Sequence, residues 1–500
     1  MKKNTIHFYR IDLRNHPSSY ELEELIKEFL RPEEFLLINS AIRRQPVKES
    51  FNRRTGRPVP ADSEKVLFNR NSASVLNRWK NTYADLRIPS AYMEKNEAKR
   101  YLYNGLVKLT GYRPAWGTLT GVRPTKLANE LMSVKGMSYE EVKSYFHKEY
   151  YVNAEKTRLV LDTCRNQKFL TREPAGRTAG VYIGIPFCPT RCLYCSFTSN
   201  QADEAAMELY LQALLKEIKA VGSHMKAIDL VPESIYIGGG TPTSLNPSML
   251  ERLMDSISEH FDTSKLKEFC TEAGRPDTIT EEKLKILKDH AVDRISINPQ
   301  SMNDETLELI GRSHCVYDVY EAFDIARASG IPHINTDLIA GLPGEDYKMF
   351  MHTLQEVIRL EPDNITIHTL AVKRASRLRE MDACYHYSGG DEVGRMVGDA
   401  FLRMEERGYF PYYMYRQKHM TGNFENVSYA RRGTESVYNI RIMDEHQTIV
   451  ALGAGGISKA YYHDGNRLER VPNVSNYQVY IDRIDEMIQR KEDRLYLPFE

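Results

Sequence analysis

From about residue 180 onward, short apolar runs alternate with longer stretches in which apolar residues recur every three or four positions. The first run, "GVYIGIP" (180–186), is apolar at nearly every position, as a strand covered on both faces would be. "DEAAMELYLQALLKEIKAVG" (203–222) follows, with Met207, Leu211, Leu214, Ile218 and Val221 on one helical face. The pairing then repeats. Runs at 234–239, 267–273, 293–299, 333–342 and 363–370 read as strands. Periodic stretches at 247–261, 280–290 and 345–360, with two more from about Asn303 and about Tyr317, read as the helices between them. Six β/α units in series predict an α/β fold with a parallel sheet and right-handed crossovers, either an open doubly wound sheet or a barrel. In both, the strand C-termini share one face, and that face carries the chemistry.

The flanks do not follow this alternation. "KFLTREPAGRTAG" (168–180) mixes charge, Pro and Gly and reads as a linker. Before it, apparent strands such as "TIHFYRIDL" mix with several helices. After it, "GYFPYYMYRQ" (408–417) and "TIVALGAGGISKAYYHDGNRLERV" (448–471) read as a small mixed extension, closed by a helix near 475–490. The 500 residues exceed what one core usually supports. The predicted organisation is an N-terminal α+β domain of unassigned role (1–175), a (β/α)6 core (176–375) and a C-terminal extension (376–500).

Composition is that of a globular protein, 41% hydrophobic and 27% charged. The opening "MKKNTIHFYRIDLRNHP" has no apolar run behind its lysines, and no stretch reaches the roughly 18 apolar residues of a membrane span. The expected location is the cytoplasm, where thiols stay reduced; the odd count of seven cysteines also argues against a disulfide framework. Net charge is zero, yet residues 1–175 hold 32 Lys+Arg against 20 Asp+Glu, a balance of +12 offset by −12 in the remainder. A basic front portion suits an anionic partner, nucleic acid or polycarboxylate, or simply a surface docked on an acidic neighbour. No nucleic-acid recognition motif accompanies it.

"IPFCPTRCLYCSF" (185–197) changes the picture most, with Cys188, Cys192 and Cys195 directly after the first strand and so on the catalytic face. Thiolates there suit zinc or an iron–sulfur cluster. Structural zinc takes four ligands, and Cys270, on the third strand, would have to close such a site. A cubane cluster on three thiolates leaves one iron open. "GGGTP" (238–242) ends the second strand, where glycines permit close backbone approach and the next helix start offers free N–H groups. "CTEAGRPD" (270–277) puts Glu272 near the end of the third strand, a carboxylate able to accept from ribose or ammonium groups.

The C-x3-C-x2-C spacing, with Tyr194 before the last cysteine, resembles the signature of the radical S-adenosylmethionine (radical SAM) superfamily, whose partial TIM-like barrel also has six β/α units. The resemblance implies a [4Fe–4S] cluster on Cys188, Cys192 and Cys195, with SAM as the fourth ligand. Further segments match at successive strand ends. Gly239, Gly240 and Thr241 fall in the loop for the SAM amino group, and Glu272 near the end of the third strand. In "RISINPQSMNDETLELIGRSH" (294–314), Gln300 and Arg312 occupy SAM-contacting positions. "NTDLIAGLPGE" (335–345) puts Asp337 on the adenosine side. Tyr182 matches a tyrosine packed beside the cofactor, and "GAGGIS" (453–458) a segment closing over the adenine through Ile457. Tyr182, Ile457 and His314, the last expected to be exposed, also read as plain core or surface residues.

Within the superfamily the set is most similar to the oxygen-independent coproporphyrinogen III oxidase (coproporphyrinogen dehydrogenase) group. Chain length and "GYRPAWGTLTGVRPTK" (111–126) point to its HemZ-type branch. In that segment Arg113, Arg123 and Lys126 either grip anionic groups or belong to a structural loop around Trp116. The group's well-studied members have a fourth cysteine where this chain has Phe197, and a histidine where it has Gly184. The N-terminal segment that closes over their substrate has no counterpart here.

The resemblance implies a radical SAM oxidoreductase of porphyrin and haem biosynthesis. SAM cleavage to methionine and a 5′-deoxyadenosyl radical would lead to loss of two CO2 from coproporphyrinogen III, giving protoporphyrinogen IX. A donor such as flavodoxin or ferredoxin and a final electron acceptor are implied. The alternatives are a haem-binding and transfer protein, with His314, Cys315 and His368 as candidate axial ligands, or a radical SAM methyltransferase or ring-opening enzyme. A nucleic-acid modifier rests on the basic front portion alone. No catalytic side chain beyond the cofactor ligands is assigned.

Overall fold

The computed structural model describes residues 8–13, 16–30, 35–38, 83–90, 92–121, 123–168, 177–196, 199–373, 375–382, 385–387 and 389–499. The chain forms two compact units, residues 1–121 with 131–158, and residues 122–130 with 159–500. Among the described residues, no helix is long and apolar enough to cross a membrane.

In the first unit, β1 (Phe8–Asp12) lies between β2 (Phe35–Ile38) and β3 (Tyr83–Arg87) in a parallel sheet. Helices α1 (Ser19–Lys27) and α2 (Lys95–Thr110) bury Leu22, Leu25, Leu102 and Leu106 with Ile11 and Leu13 of the β1 segment. Helices α3 (Pro124–Ser133) and α5 (Ala154–Gln167) contribute residues to both units, and α4 (Tyr139–Tyr150) starts from a Ser138–Glu141 capping box. Trp116 is buried, and Gly117 turns with φ 57° where a Cβ would lie 2.0 Å from the Tyr150 carbonyl oxygen. The loop around Trp116 is therefore a packed structural element. In the second unit Arg123 and Lys126 pair with Glu445, so their charges are met within the chain rather than presented to a ligand.

The second unit contains the six β/α units that the apolar pattern predicts. Its strands are β4 (Thr178–Ile185), β5 (Val231–Gly239), β6 (Glu268–Glu272), β7 (Arg294–Ser296), β8 (His333–Ala340) and β9 (Asn364–Thr369). Between them run α6 (Glu204–Ala227), α7 (Pro247–His260), α8 (Glu281–Asp289), α9 (Asp304–Leu309), α10 (Val316–Ala328) and α11 (Tyr347–Arg359). All six strands are parallel and adjacent in chain order. Right-handed crossovers that never reverse direction put every helix on one side and curl the sheet. Of the two architectures the periodicity allows, the result is the partial barrel that the family resemblance implies.

The C-terminal part builds onto both edges of that sheet. After α12 (Arg377–Met381) and α13 (Gly390–Glu406), β10 (Phe410–Arg416) and β11 (Glu425–Ala430) extend it antiparallel beyond β9. Past α14 (Val437–Asp444), β12 (Ile449–Leu452) pairs parallel with β4, and β13 (Ile457–Tyr462) and β14 (Arg467–Pro472) follow antiparallel. The result is an open eleven-stranded sheet in which the barrel's outer strands are no longer bare edges. Helix α14 meets the N-terminal end of the barrel, where the Glu268 carboxylate accepts from Ser436 Oγ and the Val437 amide, both at 2.8 Å. Two further helices, α15 (Tyr477–Asp482) and α16 (Ile484–Arg494), end the unit.

Candidate functional site

Strand β4 delivers the chain to the cysteine loop, and backbone hydrogen bonds close that loop at its base. The Cys188 amide donates to the Asn200 carbonyl (3.1 Å), while the Asn200 amide and side chain donate to the Pro186 carbonyl (2.8 and 3.0 Å). Leu193 pins the middle: it is buried with Leu307, Ile310, Leu342 and Leu378, and its amide donates to the Ile310 carbonyl (2.9 Å). Cys192 is buried, whereas Cys188 and Cys195 are partly exposed. Burial pushes the Cys188 thiol up to about 11; the Thr241 hydroxyl at 3.4 Å opposes this and the other two cysteines add to it. Metal binding would displace those protons, since thiolates are the ligands.

Among the described residues no three His, Cys, Asp or Glu side chains are drawn together tightly enough for a single metal ion. Cys270, the fourth ligand a zinc reading needs, is fully buried on β6 among Glu268, Arg294 and Glu272. Three thiols on one loop, with no fourth beside them in the described chain, fit a cluster with one open iron.

The glycines after β5 serve the protein's own packing. A Cβ on Gly240 would lie 2.4 Å from the Phe187 carbonyl oxygen, and Gly239 adopts φ 110°. The backbone donors of the strand end itself are used within the protein: Gly239 donates to Glu272 (3.3 Å), Gly240 to Ile185 (2.7 Å) and Thr241 to Phe187 (2.7 Å). The strand end needs those donors to hold the cysteine loop. An ammonium ligand loses nothing by this, because it requires acceptors.

Farther round the barrel, Arg312 is buried and connects one other predicted site residue, Tyr194, to the segments after β6 and β7. Its guanidinium donates to Tyr194 Oη (3.2 Å) and to the carbonyls of Asn298 (2.6 Å) and Gly274 (3.1 Å). Gln300, 9% exposed, has φ 71° and bridges to β8 through backbone bonds with Asp337 and Ile339 (both 3.1 Å). Its Oε1 and the Oδ1 of Asn298 are buried without a hydrogen-bond partner. An unsatisfied buried acceptor costs about 1–3 kcal/mol, so two of them mark a place fit for a ligand's donors.

Inside the barrel, Tyr182 and Tyr236 stack at 6.3 Å and Tyr236 and Tyr438 at 4.6 Å. Glu272 accepts from the Tyr236 hydroxyl; burial, with the Asp337 charge adding, raises its carboxyl to about 7. Asp337 faces His368 at 3.5 Å.

Ile457 begins β13 with 49% of its surface exposed, beside the 453–456 turn. The turn packs on β4, where a Cβ on Gly453 (φ 88°) would lie 2.4 Å from the Gly184 carbonyl oxygen. His314, expected at the surface, is only 3% exposed, because its segment folds under Arg312. Phe197 lies outside the described residues. The sequence reading passed over Arg275, which approaches Cys192, and Lys373, whose ammonium acts electrostatically on Cys195. Arg275 was legible as a cation three residues past Glu272 at a strand end, but Lys373 sits in irregular chain with no such signal.

The sequence pattern of the Radical SAM superfamily matches residues 182–357. Over 424 residues the chain is 40% identical to "Oxygen-independent coproporphyrinogen-III oxidase-like protein HemZ" of Bacillus subtilis (strain 168), covering 83% of this chain and 84% of that protein. It is also 33% identical over 308 residues to "Heme chaperone HemW" of the same organism, covering 61% and 76%. Among solved structures, coproporphyrinogen III oxidase (HemN) from Escherichia coli, described as a radical SAM enzyme, matches with a TM-score of 0.51. The identity there is 22%, over 64% of this chain and 73% of that one, a likeness of fold. The superfamily's cofactors are a [4Fe–4S] cluster and SAM, and the thiol loop and unmatched acceptors fit them. An identity of 40% sustained along most of both chains settles the assignment: this protein belongs to the radical SAM superfamily, in the HemZ branch of the coproporphyrinogen oxidase group.

Proposed function

We propose that this protein oxidatively decarboxylates coproporphyrinogen III to protoporphyrinogen IX without oxygen. The observation that carries the reading is the adjacency of two parts: a three-thiol loop, and beside it a barrel interior walled by Tyr182, Tyr236 and Tyr438 around Glu272. When bound, the cluster and SAM supply the electron and the organic radical that removes hydrogen from the substrate. Cys188, Cys192 and Cys195 would ligate the cluster, and Arg312 keeps Tyr194 and its loop in register with the segments after β6 and β7. Gln300 and Asn298 offer acceptors to SAM, with Gly239, Gly240, Thr241, Glu272 and Asp337 lining its remaining contacts. Tyr182 and Ile457 would pack beside the adenosine part of SAM, and the tyrosine stack would exclude water from the reacting side chain. The electron comes from a small reducing protein such as flavodoxin or ferredoxin.

A second reading, haem transfer, is favoured by the HemW likeness.

The test is anaerobic incubation of the reconstituted protein with SAM, a reductant and coproporphyrinogen III, followed by mass spectrometry. Two successive CO2 losses matched by 5′-deoxyadenosine are expected. Deoxyadenosine formed over an unchanged porphyrin would overturn the decarboxylation and favour haem transfer.

A further inference from the structure

Arg275 lies three residues past Glu272 in the segment after β6, and only 3% of it is exposed. Its Nη1 donates to Thr190 Oγ1 at 2.9 Å and to Cys192 Sγ at 3.8 Å. Its Nε and Nη2 fork onto the Asp277 carboxylate at 3.0 and 3.2 Å. Nη2 also donates to the Ser313 hydroxyl, which in turn donates to Asp277 at 2.6 Å. Thr190 lies between Cys188 and Cys192 and donates to the Gly311 carbonyl (3.0 Å), so one buried guanidinium joins the cysteine loop, the β6 end and the segment before α10.

Burying an arginine carries a desolvation cost that only good geometry offsets. Asp277 supplies most of the compensation, and its carboxyl is held below the usual range: burial pushes it up, but the bonds from Arg275 and Ser313 outweigh that. The remaining donor is aimed at the sulfur of a cluster ligand. A reduced cluster carries one more negative charge than an oxidised one. A donor on a ligating sulfur therefore stabilises the added electron and raises the reduction potential, and a nearby carboxylate opposes it.

We propose that Arg275 sets the reduction potential of the iron–sulfur cluster through its hydrogen bond to the Cys192 sulfur, with Asp277 as the opposing charge that limits the effect. Arg275 is a tuning residue rather than a catalytic one. The inference rests on the superfamily's cluster and holds whichever substrate the enzyme uses.

The test uses the full-length, anaerobically reconstituted protein without SAM. Midpoint potentials are read by EPR-monitored titration, with iron and sulfide counted for every variant. For Arg275→Gln, the ratio of reduced to oxidised cluster at a fixed potential should fall about tenfold, equivalent to about 59 mV for a one-electron couple. Asp277→Asn should move the ratio the opposite way. A purely structural clamp predicts instead that both variants lose iron or shift in the same direction, and that result overturns the proposal. So does a fully loaded Arg275→Gln variant with the wild-type potential. If Arg275→Gln does not hold iron, Asp277→Asn decides: a raised potential supports tuning, while an unchanged or lowered potential, or loss of iron there too, overturns it.

Discussion

Cys192 is buried against Leu193 and Arg275, and replacing it with Ala should abolish both the iron–sulfur absorbance and all SAM cleavage. A fully loaded, active variant would remove the cluster from this loop. Glu272 allows a pH test. Its carboxyl, raised to about 7 chiefly by burial, ionises near 4.5 in an unfolded chain. Between those values the unfolded chain releases a proton that the folded chain retains, so Glu272 makes the SAM-free protein less stable as pH rises through that window. Glu272→Gln should flatten the decline by roughly 2 kcal/mol, read by denaturant unfolding at about pH 5 and about pH 7.5. An unchanged slope would show that the carboxyl is not perturbed. At this scale the thiols and Glu272 are legible as residues at strand ends, and Arg312 as part of a recognisable segment between α9 and α10. The orphaned acceptor of Asn298 is not, because nothing in sequence tells which buried amide lacks a partner.

At the scale of elements, apolar periodicity located the strands and helices of the barrel; of the five residues it put on one face of α6, Leu211, Leu214, Ile218 and Val221 are buried and Met207 is half-buried. It did not foretell that Tyr210 and Glu217 join them. Glu217 is fully buried and bonds to Lys491 of α16 (2.6 Å), Tyr480 of α15 (2.6 Å), Asn473 (3.0 Å) and the Gly453 amide (2.8 Å). This network fixes the 453–456 turn against β4 from two C-terminal helices. Lys491→Met strands a buried carboxylate and should destabilise the protein by about 3–5 kcal/mol in urea unfolding. The Glu217→Gln, Lys491→Met double variant should recover part of that loss. If the single variant were no less stable than wild type, the pair would not be what holds the turn. A polar residue on an apolar helical face can be predicted to need a partner, but a partner 274 positions away is supplied only by tertiary structure.

At the scale of the whole molecule, the C-terminal part completes the sheet rather than hanging from it. Glu233 at the start of β5 binds Arg441 of α14 (2.9 and 3.1 Å) and Gln447 (2.7 Å), and β12 covers the edge of β4. A chain ending at residue 375 would leave both barrel edges bare and Glu233 with Lys267 alone as a charged partner. It should aggregate or unfold without a cooperative transition, as judged by size-exclusion chromatography and thermal circular dichroism; a monomeric, cooperatively folding fragment would contradict this.

The sequence by itself determined the succession of β/α units, the thiol loop and the strand ends around it, because periodicity and spacing are local properties of a chain. Only the tertiary structure decided that both edges of the partial barrel are covered by C-terminal strands, that the glycine N–H groups brace the cysteine loop, and that Arg123 and Lys126 serve Glu445. It also brought Arg275 to a cluster ligand. In each case the outcome depends on which distant residue supplies the opposite charge or the hydrogen-bond partner, and chain order does not specify that.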